Sequence, residues 1–450
     1  MGSSLFPVLP VLEETKERLS KVVERRMEGV AFVCVQHLVE TTGSLFEALL
    51  RLGARAENVF VLGKCYSTNK GVLRRLRRMK LWAHGGTKPQ GLGEFTGAFK
   101  DDVRYMWDVA LRHCQSEGLR SVIVLDDGGY CLQLIPRRRR QGGRSQLPDL
   151  CFSGVEQTTR GFTGIGQQAP GDFPIIQVAR CAVKQFIEPR MVTEAVLKRL
   201  GEIMAVRGFA TAYGVIGLGR IGQAVTNRLM ELGYKVHVAE RSALLFEPYL
   251  VGDASGSPLS FHEKAEELPP EAELVFGCTG KDVFKKTRWR HRFTGERVLA
   301  SCSTGDVEFL TVLKAIKATQ EPCGDALGDA RLVRPNGTVR VLRGGFPINF
   351  DGTPNSVAAA DIQVTRCLLL GGLIQAVLST RRAQSRNARW EKLDPEMQRF
   401  IMRTWLNRRE ERKQWYSEAV LMSFSDAAWI NSSSHGIAVS HPNLTEAFRD

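Results

Sequence analysis

Gly217-Leu218-Gly219-Arg220-Ile221-Gly222 follows directly on the apolar run Ala212-Tyr213-Gly214-Val215-Ile216 and leads into a helical stretch through Leu232. Glycines at this spacing permit a tight turn, close approach of the backbone to a pyrophosphate, and close packing of helix on strand. A glycine pattern alone is weak. Here a second strand, Lys235-Val236-His237-Val238-Ala239, ends at Glu240, about 20 residues beyond the glycines, as a dinucleotide fingerprint requires. A carboxylate there accepts hydrogen bonds from a ribose diol and repels a 2′-phosphate, so the expected cofactor is NAD. Two further strand-then-turn segments, Gly277-Cys278-Thr279-Gly280 and Ser301-Cys302-Ser303-Thr304-Gly305-Asp306, place Thr279 and Thr304 on the nicotinamide side. A separate acidic turn, Asp126-Asp127-Gly128-Gly129, closes the strand Ser121–Leu125. Ligands of parallel sheets bind at such carboxyl ends.

These residues need strands to carry them. Val30–Cys34, Val59–Leu62 and Ser121–Leu125 read as buried strands alternating with helix-like stretches such as Gly43–Leu52. That alternation predicts parallel sheets with crossover helices. The expected class is α/β, with two Rossmann-like domains. A substrate domain covers 1–190 and is completed by about 349–380, an NAD-binding domain covers 191–348, and a helical, Arg-rich extension covers 381–450. A helical stretch, Thr193–Val206, leads to Gly208 and the fingerprint, and Asn431–Ser434 reads as a loop.

At 450 residues, 43% hydrophobic and 24% charged, the chain is neither fibrous, collagen-like nor wholly disordered. Its formal net charge of +14 gathers in Arg74–Lys80, Pro136–Arg144 and the arginine-rich segment Arg381–Lys413. The first two runs lack interleaved aromatics or a nucleic-acid module and read as solvated surface, the third carries Trp390 and Trp405 and reads as a packing or subunit-contact element, and no nucleic-acid partner is expected. Arg160 and Arg220 fall inside site motifs, where either could hold a phosphate or carboxylate. The longest apolar run, Cys367–Leu378, is short of the roughly 20 residues of a membrane helix. The N-terminus carries no secretory pattern, and Phe6 replaces the Ser or Thr of a myristoylation signal. Ten scattered cysteines form no C-x-x-C pair and no zinc spacing, so reduced thiols in a cytoplasmic protein without a metal are expected.

Taken in order, Val39-Glu40-Thr41, Tyr66-Ser67-Thr68-Asn69, Leu125-Asp126-Asp127-Gly128-Gly129, Glu156-Gln157-Thr158-Thr159, Lys184, the glycine fingerprint with Glu240, Thr279-Gly280, Gly305-Asp306-Val307-Glu308 and Ile348-Asn349 resemble the adenosylhomocysteinase family. The resemblance spans residues 30 to about 380. That family uses bound NAD to oxidise a ribose 3′-hydroxyl, which acidifies C4′; elimination at C5′, hydration and reduction follow. By resemblance Lys184 is the base beside the oxidised hydroxyl, Asp127 the substrate-pocket aspartate, and Glu40 the carboxylate that holds adenine. Thr158 and Thr159 grip the nicotinamide end, and Asn349 contacts the cofactor.

Other family positions have changed. Gln36 occupies a catalytic histidine's place unless a one-residue shift lets His37 serve. Gln157 replaces a site carboxylate, Glu188 lengthens another, Thr353 replaces a late histidine, and Ser301-Cys302-Ser303-Thr304 lacks a third. The resemblance therefore implies NAD-dependent oxidation of a ribose-type hydroxyl on a nucleoside-like substrate, with altered elimination and hydration. The alternative is a non-catalytic NAD-binding regulatory homologue. It also implies a homo-oligomer, dimer or tetramer, although Asn443–Asp450 departs from the family's C-terminus.

Overall fold

The computed structural model describes residues 4–23, 27–136, 150–166, 173–204, 210–245, 258–319, 325–382, 390–408 and 442–448. The basic segment 137–144, Gly208, Cys323, 383–389, 409–413 and Asn431–Ser434 lie outside the described residues. The chain divides into two units: Met1–Gly86, Lys100–Glu188 and Gly352–Asp450 form the first, and Thr87–Phe99 with Pro189–Asp351 form the second.

In chain order the strands of the first unit are β1 (Val30–Gln36), β2 (Val59–Gly63), β3 (Trp82–His84), β4 (Ser121–Asp126), β5 (Cys151–Glu156) and β6 (Ile175–Gln177). Those of the second are β7 (Ala212–Ile216), β8 (Lys235–Ala239), β9 (Leu259–His262), β10 (Ala272–Gly277), β11 (Arg297–Ser301), β12 (Ala330–Arg334) and β13 (Gly337–Val341). Trp390–Lys392, β14, returns to the first.

The first sheet runs β14-β6-β5-β4-β1-β2-β3, parallel throughout. Every residue of β1 and β2 is buried, the pattern of strands covered on both faces. Strand order reverses between β1 and β4, which opens a crevice at their carboxyl ends. Gln36 and His37 stand at one side of it and Asp126 and Asp127 at the other. The second sheet, β12-β13-β11-β10-β7-β8-β9, is parallel except for the β12–β13 pair. Its reversal falls between β7 and β10, where the glycine turn begins. The chain is α/β with two Rossmann-like units.

Three expectations change. The segment after 381 is not simply an appended helical tail. Trp390 pairs with Ile175 in the sheet, and its indole packs 4.8 Å from the Phe162 ring while donating to Gly166 O. Burial of that aromatic gives the strand its reason to dock. Residues 87–99, placed in the substrate domain by sequence, belong to the second unit, where Phe95 N donates to Asp306 and Lys88 pairs with Asp325 at 2.6 Å. Finally, the helix Ala359–Arg382 extends the apolar run beyond its sequence limits. Its residues Ala359–Thr380 are long and apolar enough to cross a membrane, yet that stretch is wholly buried within the protein.

Candidate functional site

Asp127 organises the crevice of the first unit. Lys64, the residue after β2, donates to its Oδ1 at 2.5 Å. Gln157, after β5, donates to Oδ2 at 2.6 Å, and His37 Nε2 lies 3.3 Å from the same oxygen. A carboxylate facing Nε2 fixes the imidazole tautomer with the proton there, so Nδ1 accepts from Ser67 Oγ at 2.6 Å. Neither ring nitrogen is left to meet a substrate proton. Burial drives the His37 pKa down to about 3, against the pull of Asp127, so the imidazole is neutral. Burial opposes the charge of Asp127, but the Lys64 ammonium and His37 hold its carboxyl well below the usual range.

Gln36, buried at the end of β1, donates to Gln157 Oε1 at 2.8 Å and to Val35 O. The two glutamines thus form one chain ending on Asp127. Burial pushes Asp126 up to about 6, opposed by the Leu132 and Cys131 backbone donors. Burial likewise raises Glu156 well above the carboxylate range, with Asp126 adding repulsion. Glu156 accepts from both Thr158 N and Thr158 Oγ1 at 2.7 Å. Thr158 also caps the helix Thr159–Ile165 by accepting from Gly161 N, while Thr159 is exposed. Lys184 and Glu188, one turn apart on the helix Ala182–Met204, form an ion pair.

Glu40 is differently placed. Its carboxylate pairs with Arg75 Nη2 at 2.8 Å and accepts from Asn355 Nδ2 at 3.2 Å. Arg75 comes from the basic run expected to be a solvated face, and it turns inward to Glu40 and Leu5 O. Thr353 is exposed in the loop whose Pro354 O accepts from Glu40 N. The Arg160 guanidinium lies 5.6 Å over the Tyr130 ring.

Lys64 and Arg366 were missed from sequence. Both carry a signal: Lys64 follows a fully buried strand, and Arg366 is, with Asp361, one of two charges in the apolar stretch Ala359–Thr380, which buries it to 8% exposure.

In the second unit the three fingerprint glycines answer three separate demands. Gly217 has φ +92°, a Cβ at Gly222 would lie 1.8 Å from Gly217 O, and a Cβ at Gly219 would meet nothing within 4 Å. The last leaves open space beside the start of the helix Arg220–Glu231, where Arg220 is exposed and Ile221 half-buried. Glu240 ends β8 with its carboxylate held by Leu218 N at 2.7 Å, Arg241 N at 2.8 Å and Ser242 N at 3.1 Å. Two of these donors fall on Oε1 and one on Oε2, so Oε2 keeps a lone pair for a ribose hydroxyl. Glu308, its pKa raised by burial, accepts from Thr279 N, Thr279 Oγ1 and Gly280 N, which sets the turn after β10. Thr304 is half-buried in the turn after β11. Asn349 is 7% exposed, and its amide has no hydrogen-bond partner among the described residues. An open glycine turn, an oriented carboxylate and an amide with no partner among the described residues fit a dinucleotide. Among the described residues no group of three His, Cys, Asp or Glu could hold a metal ion.

No family model matches the chain. It is similar to two proteins of Mycobacterium tuberculosis, Uncharacterized protein MT0113 of strain CDC 1551 / Oshkosh and Uncharacterized protein Rv0104 of strain ATCC 25618 / H37Rv. Each is 27% identical over 354 residues, 78% of this chain. The match spans 65% of the relatives' own length, less than two thirds. Among solved structures, the NADPH-dependent glyoxylate/hydroxypyruvate reductase SmGhrB of Sinorhizobium meliloti shares 15% identity at TM-score 0.31, covering 60% of this chain and 81% of that one. A D-isomer specific 2-hydroxyacid dehydrogenase of Xanthobacter autotrophicus Py2 shares 15% at TM-score 0.28, covering 59% and 85%. Likeness at that level carries no argument. The fold rests on the strand order of the chain itself.

Proposed function

We propose that this chain is an NAD-dependent enzyme that oxidises a ribose-type hydroxyl of a nucleoside-like substrate, with elimination and hydration chemistry altered from that of the adenosylhomocysteinases it resembles. The observation that carries this reading is Glu240, oriented by three backbone donors beside the glycine turn. Gly217, Gly219 and Gly222 would receive the pyrophosphate, Glu240 the adenosine ribose, and Asn349, Thr279 and Thr304 the nicotinamide end. When bound, NAD supplies a reversible hydride acceptor.

The residues of the first unit handle the proton. Lys184 Nζ holds the hydroxyl oxygen; having passed its own proton to Glu188, it takes the hydroxyl's. Asp127, kept ionised by Lys64, orients Gln157 and His37 about the crevice. With both nitrogens of His37 engaged, no imidazole of this crevice among the described residues is free to serve C4′ and C5′, so the chemistry stops short of the family's hydrolysis. All nine described cysteines are free, which supports a reducing, cytoplasmic setting.

One observation favours the regulatory alternative: Glu40, the expected adenine ligand, is already engaged by Arg75 and Asn355. Mixing the NAD-loaded protein with adenosine and other ribonucleosides separates the two. Oxidation raises absorbance near 340 nm, and Lys184→Ala loses the rise while retaining NAD by mass spectrometry. Retained NAD with no rise for any ribonucleoside would leave the regulatory reading standing.

A further inference from the structure

Each lysine of the first unit's crevice has its own carboxylate. Lys64 is matched by Asp127 and Lys184 by Glu188, and Arg75 is matched by Glu40 nearby. Arg366 is not. Its side chain is nine-tenths buried, at 8% exposure, and its one hydrogen bond among the described residues runs from Nε to the neutral Thr41 Oγ1 at 3.2 Å. No carboxylate lies within 4.0 Å of it among the described residues. A guanidinium does not give up its proton, so the charge stays wherever the chain buries it. An uncompensated buried charge is costly and calls for an anion.

Its neighbourhood is the crevice already described. Glu188 and Asp127 are the negative groups whose fields reach it, and its own field helps hold down the imidazole of His37. With each lysine held by its own carboxylate, Arg366 is the cation of that chamber with no carboxylate at ion-pair distance among the described residues. Its two terminal nitrogens remain for a planar, bidentate partner.

We infer that Arg366 is a specificity residue that binds an oxyanion, a carboxylate or phosphate, carried by the substrate. The nature of the rest of that substrate rests on the nucleoside reading above, but the anion itself does not. The inferred class is therefore an anionic nucleoside derivative rather than a neutral nucleoside.

Titration calorimetry on the full chain with inorganic phosphate, acetate, adenosine and adenosine 5′-monophosphate tests this, using native protein, Arg366→Met and Arg366→Lys. One of the two small anions, phosphate or acetate, is expected to bind the native protein and not Arg366→Met, and which one binds distinguishes phosphate from carboxylate. Adenosine 5′-monophosphate is expected to bind about 10-fold or more tightly than adenosine, an advantage lost in Arg366→Met and partly restored in Arg366→Lys. In the absence of ligand Arg366→Met is expected to melt no lower than the native protein, because a buried charge without a partner has been removed. If neither nucleoside binds while an anion binds through Arg366, the nucleoside reading fails and the anion site stands. The inference is overturned if no anion binds in an Arg366-dependent way and the 5′-phosphate brings no advantage. It is equally overturned if Arg366→Met and Arg366→Lys both fail to fold, since that outcome makes the arginine structural.

Discussion

Burial sets the charge of His37 before any ligand arrives. The free imidazole titrates near 6.5, whereas in the folded chain it is held at about 3. Between those values the unfolded chain carries a proton that the folded chain lacks, so folding stability falls as pH drops through this window. The slope is at most about 1.4 kcal/mol per pH unit. Asp126 acts with the opposite sign: its folded value of about 6 lies above the free value of 3.8, so the folded chain binds the extra proton there and part of the loss is offset. Urea unfolding at pH 7 and pH 5 should therefore cost the native protein more stability on acidification than His37→Gln. Equal losses would mean that His37 is not held neutral. The sequence left Gln36 and His37 as alternatives for one role. Adjacent residues at a strand end point in different directions, and only the positions of Asp127 and Gln157 decide what each one meets.

The glycine turn was legible at the scale of a single element because its demands are local. Strand, turn and helix are contiguous in sequence, and φ, close approach and packing are all set within a few residues. Two substitutions separate those demands. Gly222→Ala puts a methyl against Gly217 O, forces the helix Arg220–Glu231 away from β7, and should cost about 1–3 kcal/mol together with NAD binding. Gly219→Ala meets no protein atom, so its melting temperature should stay close to native while NAD affinity falls. Thermal melts paired with fluorescence titration of NAD read both effects. A stability loss as large at Gly219 as at Gly222 would contradict this assignment. The basic helix Lys70–Arg78 was less legible, since periodicity shows which residues share a face but not that Glu40 waits opposite Arg75.

For the molecule as a whole, the late return of the chain to the first sheet decides where the first unit ends. Trp390 is 3% exposed and lies at the start of β14. Trp390→Ala should lower stability by about 3–5 kcal/mol, and removal of everything after residue 382 should leave the first unit unfolded. Urea unfolding followed by circular dichroism checks both; a native-like transition in the truncated chain would show that the segment is a dispensable tail. Its sequence read as helical and arginine-rich because a three-residue edge strand is too short for a period of two to stand out.

Local pattern was enough to reveal two α/β units, the dinucleotide turn, Glu240 and the acidic turn after β4, because strands, turns and crossover helices are encoded over short stretches. It could not reveal which carboxylates are already engaged. Lys64 reaches Asp127 from 63 positions away, and Arg366 reaches Thr41 from 325. Pairings of that kind depend on which strand ends and helices the fold brings side by side. They leave Arg366 as the buried charge in search of an anion.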